Sequence, residues 1–86
     1  MPVISQFYGI IIRMFYNDHA PPHFHAVYGE YELIVGISPI TIIHGKVPNR
    51  VRSMILEWAA LHQQELLDNW NRCRQAEVLL SIEPLE

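Results

Sequence analysis

One cysteine, Cys73, and only six Lys and Arg against nine Asp and Glu are the first scarcities in this chain of 86 residues. A single thiol excludes any internal disulfide, and a domain of this size sits near the limit where small folds lean on staples, so only a metal or a partner could serve. The formal charge of −3 argues against a protein that binds nucleic acid mainly by broad phosphate neutralisation. No apolar run reaches membrane length and no signal-peptide pattern is present, so a cytoplasmic protein with no membrane association is expected. There is no glycine-rich phosphate loop, no Ser or Cys in an obvious nucleophile motif, and no repeat, low-complexity stretch or linker. Residues 1–86 therefore read as a single domain.

Histidine, in contrast, is plentiful, with five in the chain. Their ordinary pKa of about 6.5 lets the net charge change considerably just below neutrality. Three of them fall in Asn17-Asp18-His19-Ala20-Pro21-Pro22-His23-Phe24-His25, the stretch around which the chain is organised. Pro21-Pro22 cannot donate backbone hydrogen bonds and biases Ala20 and Pro21 towards extended conformations, giving a stiff turn that carries His19.

Before this block, Phe7 to Tyr16 is apolar, β-branched and aromatic, and reads as one strand with Ile10, Ile12, Met14 and Tyr16 on one face and Ile11, Arg13 and Phe15 on the other. After it, Gly29-Glu30 is a two-residue hairpin loop of the II′ kind, which fixes a register with Tyr28 opposite Tyr31 and Phe24 opposite Val35. Phe24, Ala26, Leu33 and Val35 then share an apolar face, while His23, His25 and Glu32 occupy the other. Ser38-Pro39 marks a turn, Ile40 to His44 a short strand, and Gly45 to Asn49 the exit towards a helix.

From about Asn49 to Gln75 there is neither Gly nor Pro. Val51, Ile55, Trp58, His62 and Leu66 form one helical stripe, expected to pack on the sheet, and Leu56, Ala60, Leu67 and Trp70 form a second that points roughly the opposite way. A straight helix of this length would run roughly 40 Å, so either a break near Gln63-Gln64 or an overhang onto another subunit is expected. The second stripe favours a partner interface, with a second small protein or another copy of the chain. Asp68 and Arg72 are spaced as an (i, i+4) ion pair. The apolar tail Val78 to Leu85 reads as an edge strand or an extended segment over the core.

The two imidazoles of His23-Phe24-His25 lie on one face of a strand and can converge on one ion, with His19 or Asp18 from the turn as a third ligand and Glu32 from the next strand as a fourth. Zinc, nickel or iron accept such ligands. The plainer alternative is that the histidines hydrogen-bond the Pro-Pro turn and Asp18 accepts backbone N–H groups. His23 and His25 are also candidates for metal-free acid–base catalysis. Lys46, Arg50 and Arg52 are candidate anion ligands near the helix N-terminus, against the ordinary reading of solvated surface charge. His62, within the apolar stripe, reads as a core residue.

Phe7-Tyr8-Gly9-Ile10, Asp18-His19-Ala20-Pro21-Pro22-His23-Phe24-His25-Ala26, Tyr28-Gly29-Glu30, Gly45-Lys46-Val47-Pro48, Glu57-Trp58-Ala59, Glu65-Leu66, Asn69-Trp70 and Ile82-Glu83-Pro84-Leu85 together resemble the bacterial family called domain of unknown function 4160. The resemblance implies a small cytoplasmic protein whose partner is a second small protein encoded beside it, an arrangement similar to toxin–antitoxin pairs. The expected fold is α+β, an antiparallel meander of three or four strands packed against one long C-terminal helix, with a short extended tail. Two functions are expected from this chain: an interaction component of such a two-protein module, or a metal-dependent or histidine acid–base hydrolase such as a nuclease.

Overall fold

A computed structural model describes residues 2–86. Five strands, β1 (Val3–Phe7), β2 (Ile10–Arg13), β3 (His23–Tyr28), β4 (Tyr31–Ile37) and β5 (Ile40–Lys46), precede two helices, α1 (Asn49–Leu61) and α2 (Gln63–Arg74). The strands form one antiparallel meander in the order β1-β2-β3-β4-β5. The α+β class stands, and two details are corrected: the sheet has five strands rather than three or four, and the helix is two helices.

The extra strand comes from Phe7 to Tyr16, which is not one strand. Tyr8 and Gly9 both adopt positive φ, 50° and 81°, and fold the chain back so that Phe7 pairs with Ile10. Positive φ at both central residues is the signature of a I′ hairpin, whose twist matches the strands it joins. The expected alternation survives in β2, where Ile10, Ile12 and the following Met14 are buried. The β3–β4 hairpin has the expected register, Tyr28 opposite Tyr31 through Phe24 opposite Val35, and adds His23 opposite Gly36. Of its two loop residues Gly29 alone has positive φ, as a II′ turn requires.

The helices cover the face that carries Phe24, Ala26, Leu33 and Val35. Val51, Ile55, Trp58 and Leu66 are buried, and the Trp58 ring stands 5.4 Å from that of Phe7 and 5.7 Å from that of Phe24. His62 breaks the helix, with φ −122° and ψ 26°. The break resolves the length conflict, since the whole molecule is 34 Å in its longest dimension. Among the described residues no helix is long and apolar enough to cross a membrane.

The chain's own tail folds back along the helices. At the end of α2, Ala76 has φ 56° and Glu77 N–H donates to Arg72 O at 2.8 Å, a Schellman-type stop that turns the chain back. Asn69, 1% exposed, then grips the tail with both ends of its amide: Nδ2 donates to Leu80 O at 2.8 Å and Oδ1 accepts Leu80 N–H at 3.0 Å. Trp58 Nε1 donates to Glu83 O at 2.8 Å and Ile82 N–H donates to Ile4 O at 2.8 Å. Trp70, expected on the partner-facing stripe, is buried within its own chain, whereas Leu56 and Leu67 are half-buried against the core and Ala60 is exposed. The expected Asp68–Arg72 pair is replaced, with Asp68 accepting from Gln64 and Arg72 donating to Asn69.

Because one side chain satisfies both backbone groups of Leu80, Asn69→Ala should destabilise the fold by about 2 kcal/mol or more, leaving two backbone groups to find water. Urea denaturation measures the loss, and limited proteolysis should cut the released tail of the variant ahead of the domain.

Candidate metal centre

The site is built where β2 hands over to β3. Met14 N–H bonds back to Pro2 O at 3.3 Å and Asp18 N–H to Phe15 O at 3.4 Å, so the chain turns immediately after β2 and carries Asp18 over the start of β3. The Ala20-Pro21 bond is cis, and Pro22 O accepts Ile37 N–H at 3.1 Å, which extends the β3–β4 ladder to the site's edge. Alternation along β3 then sends Phe24 and Ala26 inward and His23 and His25 outward, towards Asp18.

Asp18 Oδ2 lies 2.9 Å from His23 Nε2 and 3.0 Å from His25 Nε2. The opposite ring nitrogens are also engaged, His23 Nδ1 with Pro21 O at 2.8 Å and His25 Nδ1 with Glu32 Oε2 at 3.1 Å. All three side chains are half-buried, and one ligand atom from each lies within 4.8 Å of the others. His23 packs against Trp70, ring centroids 5.1 Å apart, and Phe15 stands edge-on to His25 at 4.5 Å.

This geometry poses a proton problem. A carbonyl and a carboxylate can only accept, and a neutral imidazole has one N–H to give. Each of these two rings faces an oxygen at both nitrogens. One arrangement makes both rings imidazolium, which sets two like charges side by side, ring centroids 5.3 Å apart, on one shared carboxylate oxygen. A second protonates a carboxyl so that it donates to a ring nitrogen. A third places the protons on Nδ1, pointing at Pro21 O and Glu32, and leaves both Nε2 lone pairs and Asp18 Oδ2 facing a common cation. Ring N–H to carbonyl or carboxylate with the other nitrogen on a metal is the usual outer support of a metal-bound histidine.

Of the five candidate ligands, the structure brings together Asp18, His23 and His25. His19 is exposed and outside the cluster, because it lies on the outer side of the Pro-Pro turn. Glu32 is at the site but behind His25, on the nitrogen away from Asp18, so it is corrected from ligand to support. The turn-capping alternative is present in one bond, His23 to Pro21 O. His62 bonds Glu65 at 2.6 Å and stacks on Trp58, away from the site.

The candidate anion ligands do not gather. Lys46 stands opposite Glu32 on the outer sheet face, whereas Arg50 lines a groove of about 520 Å³ with Tyr8, Tyr28 and Glu57, and Arg52 is exposed. Two further residues stand at the site. Trp70 belongs to the helix stripe expected to face a partner and packs on His23 instead; Arg13 stands directly opposite His25 in the β2–β3 register, which only the paired strands reveal. Buried Cys73, one turn beyond Trp70, has its thiol pushed up by desolvation and then by the Asp18 charge.

Fold and site together define a small α+β protein with an Asp-His-His cluster on the end of its sheet. The family model described as a domain of unknown function, DUF4160, matches residues 9–71, and the chain belongs to that family. The match spans Asp18, His23, His25, Glu32 and Trp70. Comparisons with curated proteins and with solved structures gave no match.

Since both burial and Asp18 hold Cys73 in the unreactive thiol form, iodoacetamide at pH 8 should alkylate the native protein about tenfold or more slowly than the urea-unfolded chain. Mass spectrometry of quenched time points reads the two rates; equal rates would mean that the end of α2 is open.

Proposed function

We propose that this chain is a metalloprotein whose Asp18, His23 and His25 hold one divalent first-row transition ion, with zinc, nickel and iron as the fitting metals, and that the centre serves hydrolysis. The observation that carries the reading is the pairing of every ring nitrogen of His23 and His25 with an oxygen, which a cation among the two Nε2 atoms and Asp18 Oδ2 relieves without charging either ring. Ligands at about 2.05 Å from an ion stand about 2.9 Å apart at right angles and about 3.3 Å apart at the tetrahedral angle, so the 2.9 and 3.0 Å between Asp18 and the two histidines need only small shifts to accept one. Nitrogen and oxygen donors in this proportion suit iron, nickel or zinc over calcium or magnesium.

Three protein ligands leave coordination positions open, the arrangement of catalytic rather than structural sites. A divalent ion there supplies Lewis acidity and lowers the pKa of a water it binds. The chain's own part is orientation: Pro21 O and Glu32 fix the two rings, Trp70 and Phe15 wall them, and Asp18 balances charge. The reading as a component of a two-protein module has less behind it at residue level, since Trp70 of the face assigned to a partner is buried within the chain; it stands on the family resemblance.

Untagged protein purified without chelators should carry close to one ion per chain by inductively coupled plasma mass spectrometry. Cobalt(II) added to stripped protein should quench tryptophan fluorescence through Trp70 and saturate at one equivalent. Asp18→Asn and His25→Ala should abolish stoichiometric binding. Folded wild type that takes up none of zinc, nickel, iron or cobalt at micromolar concentration would leave the two metal-free proton arrangements and sink the metal reading. In a separate comparison, Glu32→Gln should retain one site with affinity lowered by about 10- to 100-fold, the usual cost of losing a histidine's outer partner.

A further inference from the structure

Arg13 is a charged side chain beside the centre that the centre itself does not use. It stands opposite His25 across β2–β3 and is half-buried, and its Nε is fully covered with no hydrogen-bond partner. Side chains directly opposed in an antiparallel pair have Cβ atoms about 5 Å apart, so Arg13 leaves the sheet on the same face as His25 and next to it. No ion pair involves Arg13 among the described residues. The two acids of the site are committed elsewhere, Asp18 to both histidines and Glu32 to His25. A dication balanced by Asp18 and Glu32 therefore leaves the Arg13 charge uncompensated on a partly desolvated surface.

A groove of about 460 Å³ adjoins this arrangement, lined by Pro2, Phe15, Tyr16, Asn17 and Asp18. One of its walls, Phe15, is the ring that stands edge-on to His25, and Phe15 follows Arg13 by two residues on the same side of the chain. The groove thus starts at Asp18 and runs along aromatic surface that follows Arg13 in the chain. Its volume is that of a small-molecule site.

We propose that the centre takes an oxyanion, phosphoryl or carboxylate, as its exogenous ligand, with Arg13 as the anion's second anchor and the Phe15–Tyr16 groove holding the body of the molecule. This rests on the metal reading above. A guanidinium presents a planar fork that matches two oxygens of a phosphate or carboxylate, and the open coordination positions take a further oxygen of the same group. Arg13 is in this scheme a specificity-determining residue. It ligates no metal, so its removal leaves metal binding intact.

The test uses cobalt-loaded full-length protein, with inorganic phosphate and acetate as probes, followed by calorimetry and by the visible spectrum of the cobalt. One of the two anions should bind the loaded wild type and shift that spectrum; phosphate binding the tighter assigns a phosphoryl substrate, acetate the tighter a carboxylate. Arg13→Gln should weaken that anion by about tenfold or more at unchanged cobalt stoichiometry, and Arg13→Lys should fall between, keeping the charge without the fork. If neither anion perturbs the loaded wild type, the oxyanion proposal is overturned while the metal centre stands, a result that needs no variant to fold. Equal anion affinity in a folded, cobalt-loaded Arg13→Gln protein overturns the role of Arg13. Wild type that takes no cobalt removes the centre and this proposal together.

Discussion

The alternation of side chains along β3 is the constraint on which the rest of this structure depends. Within His23-Phe24-His25-Ala26 the same backbone sends Phe24 and Ala26 into a fully buried core and both imidazoles to the other side. A slip of one residue would exchange these sets, placing two polar rings in the core and a phenyl ring at the site. The Gly29-Glu30 turn pins the register from one end, and the Pro22 to Ile37 hydrogen bond closes it at the other. Core stability and site geometry therefore have the same cause, and the site's two rings are held as firmly as the core they oppose.

This also explains what could be read before the fold was known. The β3–β4 register followed from a loop whose length and first glycine allow one hairpin geometry, and with it came the common face of His23, His25 and Glu32. Asp18 was legible as a neighbour in sequence, and the stripe Val51, Ile55, Trp58 and Leu66 as a helical period. The β1–β2 hairpin was not, because its turn puts Tyr8, a residue with no turn preference, into left-handed backbone between two runs of β-formers. Nor was the neighbour of His25. Arg13 and His25 are separated by a loop containing two prolines, whose path sets the β2–β3 pairing and carries no periodic signal. The alternation of β2 was read correctly, with Arg13 away from Ile10 and Ile12, but the partner it faces is a tertiary fact.

The second helix face shows the opposite kind of difficulty. Two apolar stripes on one helical run do call for two neighbours, and within the chain Trp70 of the second finds one in the His23 ring while Leu56 and Leu67 pack half-buried against the core. The tail docks at other positions, Asn69 and Trp58, and is not held as a strand. Apart from the single bond of Ile82 to Ile4, its backbone is satisfied by side chains, the Asn69 amide at Leu80 and the Trp58 indole at Glu83. Such contacts leave no pattern of alternation to read. A buried asparagine on such a helix is the sign that peptide backbone packs there.

These strands of argument meet at Trp70. It follows Asn69 on α2, is buried, and forms the wall against which His23 rests. The other wall of the pair, Phe15, belongs to the turn that carries Asp18. Each imidazole is thus fixed by one aromatic contact and by one acceptor on Nδ1, while Nε2 alone faces Asp18. A ring so fixed loses little further freedom on meeting an ion, and ordering cost is what weak sites fail to recover. Asn69, which holds Leu80, and Trp70, which walls His23, are successive residues of α2, so tail and site are anchored on the same turn of one helix. The centre is in this sense held by the small fold as well as by the histidine block.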